Sequence, residues 1–293
     1  MDGVINVYKE AGWTSSDAVN KLKGILHQRH IGHGGTLDPD AEGVLPVCVG
    51  KATRLFDYIS ASHKTYAARI KFGITTDTQD ASGIVLEEKE ANVTPDALDK
   101  VLAEFVGEID QIPPMYSALH VGGKRLYEIA RSGETVELDA RKVHIYDIKR
   151  ISDIANNECT IRVVCGKGTY IRTLCHDIGQ RLSCGAHMAY LLRESAAGLE
   201  VKNALKISEI QKRADENDFS FITPTDKAIE FMPAVELNKS VLKKIQNGNP
   251  VSEKLADKLV DGLVRIYCDG IFFGIAERIN GEYRIKCMLG GGT

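Results

Sequence analysis

From Thr65 to Phe72 the chain alternates, with Tyr66, Ala68, Ile70 and Phe72 falling on one face and Arg69 and Lys71 on the other. A period of two sends successive side chains to opposite sides of an extended backbone, so this stretch is a strand with one face in the core. Tyr66 starts the inward row. Upstream the period is different: Ala18, Val19, Leu22, Ile25 and Leu26 recur every three to four residues behind Gly12, Thr14 and Ser15. That spacing predicts a helix, entered from a short strand over residues 4–8. The two periods together call for helices packed on sheet and fix no topology.

Between these elements lies a glycine-rich loop, GHGGTLDPDAEG, followed by an apolar segment. Further on, ECTIRVVCGKGTYIRTLCHDIGQRL reads as a strand, a Gly-Lys-Gly turn and a helix with Ile171, Leu174, Ile178 and Leu182 inward and Arg172 in its first turn. Residues 111–133, which open on a proline pair and close on a basic stretch read as a short helix around Lys124 to Arg131, have the character of an insertion. An acidic, helical stretch from Ser208 to Glu230 reads as a link. In the tail, Asp269-Gly270 and Asn280-Gly281 separate strand-like runs and suit tight hairpin turns, because these residues tolerate positive φ. At 293 residues the chain accommodates a large domain over residues 1–230 and a small β-rich one over about 232–290.

With 43% hydrophobic and 26% charged residues, and no apolar run near the roughly 18 residues a membrane span needs, the composition is that of a soluble globular protein with no membrane partner. The N-terminus lacks a secretory pattern, so the cytoplasm is the expected compartment. Seven cysteines without a CxxC pair form no disulfide framework, and Cys48, Cys165 and Cys268 read as small core residues. A net charge of −3 argues against a nucleic-acid partner until its distribution is considered. Residues 80–110 hold nine acidic and two basic residues, whereas residues 162–193 hold five basic and one acidic. A basic side is available for RNA, although such segments also serve simply to solvate a surface.

Spacing excludes several chemistries. Six residues separate Gly43 from Gly50-Lys51 where a phosphate loop has four, and Ala52 stands where that loop has Ser or Thr. No GxSxG elbow accompanies the GHGG loop, and HExxH is absent. Cys175, His176, Cys184 and His187 fit no common zinc spacing, so no metal is expected; no cofactor is expected either. What remains is Asp38, a carboxylate in a glycine-lined loop where backbone can approach a ligand closely. On the residues alone Asp38-Pro39 is also an ordinary turn.

Five stretches then stand out in order: INVYKEAGWTSSDAV, GHGGTLDPDAEGVLPVCVGKAT, KTYAARIKFGITTDTQDASG, PPMYSALHVGGKRLYEIARSG, and GKGTYIRTLCHDIG followed by GAHMAYLLR. Through them the chain resembles, over nearly its whole length, the bacterial TruB family of tRNA pseudouridine synthases, which modify uridine 55. The resemblance implies an α+β pseudouridine synthase fold around a mixed, mostly antiparallel central sheet with flanking helices, plus a C-terminal PUA-like β-barrel. It implies a monomer that needs no protein partner and binds the T-arm of tRNA, with a tRNA-folding chaperone activity beside catalysis.

The resemblance assigns the catalytic carboxylate to Asp38 and its charge partner to Arg172, which otherwise reads as a phosphate contact or a surface ion pair. Tyr66, otherwise a core tyrosine, becomes the residue that stacks on the flipped uridine and takes part in loss of the C5 proton. His33 is implied to face the folded T-loop, and Tyr170 and Leu191 the extruded base. The insertion resembles the thumb that closes over the T-arm, with Lys124, Arg125 and Arg131 for phosphates; its plainer reading is a surface hairpin. Gly34 stands where the family often has Thr, and Asp40 where it often has Leu. An RNA chaperone without chemistry, a pseudouridine synthase acting on another RNA and a nucleoside hydrolase using an aspartate are the competing readings.

Overall fold

The computed structural model describes residues 1–290 except 118, 122, 127, 128, 130, 131 and 133–135. Within them the chain divides into two compact units: residues 1–39, 43–60 and 196–293 in the first, and residues 40–42 and 61–195 in the second.

In the first unit the strand Gly3–Lys9 runs antiparallel to Glu42–Val49, which is the apolar segment after the glycine-rich loop, with Val7 opposite Leu45 and Lys9 opposite Gly43. Leu205–Lys206 pairs parallel and Ile222–Thr223 antiparallel with Gly3–Lys9, and Ile31–His33 adds to Glu42–Val49. The helix Ser15–Leu26 starts at a capping box, in which Thr14 and Asp17 satisfy each other's backbone N–H groups. Its row Ala18, Val19, Leu22, Ile25 and Leu26 is buried against Ile5, Val7, Leu45 and Val47. Ile207 and Ile210, from the helix Ile207–Asp215, join the same core, so the supposed link is in part a core element.

The C-terminal strands form a five-stranded sheet in the order Ala234–Leu237, Gly262–Cys268, Ile271–Ile279, Glu282–Met288, Val251–Ser252. Both expected hairpin turns are present, with positive φ at Asp269, Gly270, Asn280 and Gly281. One face closes on its own core of Val235, Ile266, Phe273 and Tyr283. A second cluster joins Ile275 and Leu289 to Val4, Cys48, Leu55 and Ile59, so this sheet also shares apolar contacts with the N-terminal part of its unit. Arg265 is buried where it donates to the carbonyls of Met232 and Asp226, tying the connection to the sheet.

In the second unit the strand order is Ala186–Ala196, Lys64–Phe72, Glu158–Cys165, Arg141–Arg150, Gly107–Gln111, the last four antiparallel. Tyr66, Ala68, Ile70 and Phe72 are buried, as the alternation requires. The helix Ile171–Arg181 buries Ile171, Leu174 and Ile178, and Pro95–Glu104 buries Leu98 and Leu102. One reading needs correction. Lys124–Arg125 is not the start of a helix but a strand pairing with His120–Val121, because Gly123, at φ 85°, turns the chain back; Leu126 is the first helical residue.

Among the described residues no helix is long and apolar enough to cross a membrane, and no group of His, Cys, Asp or Glu is arranged to hold a metal ion. All seven cysteines are free thiols.

Candidate active site

The loop that contains Asp38 is fixed through the residues on either side of it. Ser15, at the start of the Ser15–Leu26 helix, accepts from the Leu37 N–H at 2.9 Å and donates its hydroxyl to the Leu37 carbonyl at 3.2 Å. On the far side the Pro39 carbonyl accepts from the Lys9 ammonium at 2.8 Å and from the Gly12 N–H at 3.0 Å. Lys9 is 0% exposed, and its remaining protons reach the carbonyls of Trp13 and Glu10 at 2.6 and 3.1 Å. A buried ammonium is tolerated only when it is fully hydrogen-bonded, and here carbonyl dipoles surround it. The consequence is a half-buried Asp38 on a backbone that has little freedom to move.

The two departures in this loop have local explanations. A side chain at Gly34 would overlap Ile59 Cγ2, so a threonine does not fit beside this isoleucine. Asp40 is exposed, and Glu42 accepts the Tyr190 hydroxyl at 2.8 Å within the second unit. His33 lies in the Ile31–His33 strand opposite Val47, partly buried in the first unit.

The other expected residues belong to the second unit. Tyr66 and Leu191 are buried on the strands Lys64–Phe72 and Ala186–Ala196. Tyr170 is the N-cap of Ile171–Arg181, and its backbone makes a reciprocal pair with one side chain: the Tyr170 N–H donates to Gln111 Oε1 at 2.8 Å, and Gln111 Nε2 donates to the Tyr170 carbonyl at 3.0 Å. Gln111, 2% exposed, thereby ties the start of the insertion to the helix.

Arg172 is 5% exposed and donates to the carbonyls of Thr78 at 3.2 Å and Tyr116 at 2.9 Å, with the Asp80 carboxylate at 3.7 Å. Thr173 donates to Gln79 at 2.8 Å, and Asp80 accepts from the Thr78 and Ser82 hydroxyls at 2.7 and 2.6 Å. Arg172 and its neighbour thus hold the TDTQDAS loop and the first part of the insertion at once. Lys124 and Arg125 lie on the short strand described above, and Arg131 falls outside the described residues.

Sequence reading passed over Lys9, Ser15, Gln111 and Asp80. Three of them act on backbone groups 22 to 59 residues away, which no local pattern records. Lys9 did leave a trace: it is the charged residue that ends an otherwise uncharged strand.

Comparison with known proteins gives consistent matches. The TruB family pseudouridylate synthase N-terminal domain matches residues 23–171, the tRNA pseudouridylate synthase B C-terminal domain residues 172–230, and the pseudouridine synthase II TruB C-terminal domain residues 233–286. The tRNA pseudouridine synthase B of Streptococcus mutans is 46% identical over 254 residues, covering 85% of this chain and 87% of that protein. That of Streptococcus agalactiae is 41% identical over 99% of both chains, and that of Staphylococcus aureus 45% over 88% and 90%. Among solved structures, a chain of a Cbf5-Nop10-Gar1 complex superposes with a TM-score of 0.75 at 29% identity, covering 94% of this chain and 78% of that one. A chain of an H/ACA RNP bound to a substrate RNA containing 2′-deoxyuridine gives 0.76 at 25% identity, covering 98% and 84%.

Proposed function

The chain belongs to the TruB family of pseudouridylate synthases, and on that premise we propose that the uridine it isomerises in tRNA is the one at position 55 of the T-loop. Its relatives at 41 to 46% identity are tRNA pseudouridine synthases, and the chain is an enzyme of that class. Pseudouridine formation breaks the N1–C1′ bond, turns the uracil and rejoins it through C5. All atoms stay within one nucleotide, apart from protons, so the net reaction has no redox step and asks for a carboxylate, a base held out of its stack and an acceptor for the C5 proton.

The observation that carries the reading is the pinning of Leu37 and Pro39 by Ser15 and Lys9, which presents the carboxylate between them on a fixed backbone. In this reading Asp38 is the essential carboxylate and Arg172 the arginine that supports its chemistry. Tyr66 stacks on the extruded base, Tyr170 and Leu191 line it, and His33 meets the folded T-loop. Stacking contributes about 1–3 kcal/mol per base, comparable with the few kcal/mol that extrusion costs. Lys124, Arg125 and Arg131 are assigned to T-arm phosphates, where cations set affinity and salt dependence. A tRNA-folding activity would use the same RNA-binding surface without needing the carboxylate, so Asp38→Asn separates it from catalysis.

The test of position is tritium release from tRNA transcripts labelled at uridine C5. Release from the natural transcript and none from one with cytidine at position 55 is the expected result. Equal release from both would assign the enzyme to another uridine.

A further inference from the structure

At one end of the second unit's sheet three aromatic rings cluster in solvent, one pair stacked and the other tilted. His63 and Tyr146 have ring centroids 4.0 Å apart at an interplanar angle of 30°, and His144 lies 4.4 Å from Tyr146 at 46°. All three residues are exposed, Tyr146 to 43%. Tyr146 is where the register between Arg141–Arg150 and Glu158–Cys165 slips, between Ile145 and Asp147. A bulge of this kind leaves one residue out of the ladder and re-aims its side chain.

The rings adjoin two segments of the second unit that carry proposed site residues. His63 immediately precedes the Lys64–Phe72 strand and is three residues before Tyr66. The His144 carbonyl accepts from the Gly166 N–H at 2.8 Å, and Gly166 opens the Gly-Lys-Gly turn that leads to Tyr170. A Cβ on Gly166 would lie 3.7 Å from the Tyr146 hydroxyl, so the turn passes directly beside the ring. Cations gather here as well. Lys167 is exposed in the turn, and the Lys64 amine is pushed down to about 8, first by burial and then by the charges of Arg193 and Lys167. The nearby acids are already paired: Glu108, opposite His144, with Lys142, and Asp147 with Lys149.

Aromatic faces in solvent next to an exposed lysine match the chemistry of unpaired RNA, whose bases stack on aromatic and imidazole rings while its phosphates meet cations. We propose that His63, Tyr146 and His144 form a platform on which an unpaired base of the substrate RNA, other than the target uridine, stacks. This rests on the reading of the chain as a tRNA-modifying enzyme and names a contact that the target-base residues do not include. Lys167 supplies a phosphate contact at the rim of the platform.

The test is the affinity of the full chain for a fluorescent T-arm hairpin carrying pseudouridine at position 55, which binds without turning over. His63→Ala and His144→Ala are each expected to weaken binding about tenfold, and His63→Phe and His144→Phe to restore it, because a phenyl ring still stacks. Lys167→Ala is expected to lower the slope of log affinity against log salt by about one. Native affinity in both alanine variants would overturn the platform, as would phenylalanine variants no better than alanine. Native protein that binds the hairpin yet releases no tritium from tRNA would sink the enzymatic reading and leave the platform standing; alanine variants at native affinity beside normal tritium release would do the reverse.

Discussion

Lys9 and Asp38 show how a single residue acts through backbone. The Lys9 ammonium is fully enclosed and bonded to three carbonyls, one of them that of Pro39. Lys9→Met keeps the stem and takes the ammonium donor from the Glu10 and Trp13 carbonyls, at about 1–3 kcal/mol each, while Pro39 keeps only its Gly12 N–H. The variant is expected to lose about 3 kcal/mol or more of stability by urea denaturation; an unchanged midpoint would mean that the enclosed charge contributes nothing. Asp38, Tyr66 and Arg172 were legible as candidates because the family resemblance assigns those positions a role. Lys9 and Ser15 lie in a matching stretch as well, but their roles and that of Gln111 were not legible, because their partners are carbonyls and N–H groups brought close only by tertiary packing. The same holds for Gly34, whose fit depends on Ile59, 25 positions away along the sequence.

Among the elements, the helix Ile171–Arg181 combines support for the site with a strained charge. Burial raises the Asp177 carboxyl to about 6, partly offset by Arg181 one turn on. A carboxyl whose folded value exceeds its unfolded one stabilises the fold below the unfolded value and loses that contribution as pH rises through the folded one. The window here runs from about pH 4 to pH 6. Asp177→Asn is therefore expected to be more stable than the native chain at pH 7.5, by about 1–2 kcal/mol once partial exposure is allowed for, with the gain vanishing near pH 4. Thermal melts at both pH values check this, and equal gains at both would refute the assignment to Asp177. Periodicity revealed this helix, and the Asp-Gly and Asn-Gly turns revealed the C-terminal hairpins, because in each the local signal and the tertiary environment agree. Around Lys124 they disagree: a two-residue hairpin at Gly123 comes before the helix, and a basic run does not announce it.

For the whole chain, the family resemblance supplied a fold class that periodicity could not. It did not reveal that the C-terminal sheet has two apolar contacts to satisfy, one within itself and one with Val4, Cys48, Leu55 and Ile59. A chain ending at residue 230 exposes that second cluster by removing Ile275 and Leu289. At about 1.5–3 kcal/mol for each fully buried side chain, the truncated protein is expected to lose about 3 kcal/mol or more and to melt roughly 6–12 °C lower. A native melting temperature in the truncated chain would show that the cluster adds no stability.

The central claim is that a fixed aspartate, Asp38, performs the isomerisation. The most direct measurement is single-turnover tritium release from C5-labelled tRNA by native protein and by Asp38→Asn, beside the tRNA affinity and melting temperature of each. Loss of release with affinity and melting temperature retained is the predicted result; release by Asp38→Asn at the native rate would contradict the account.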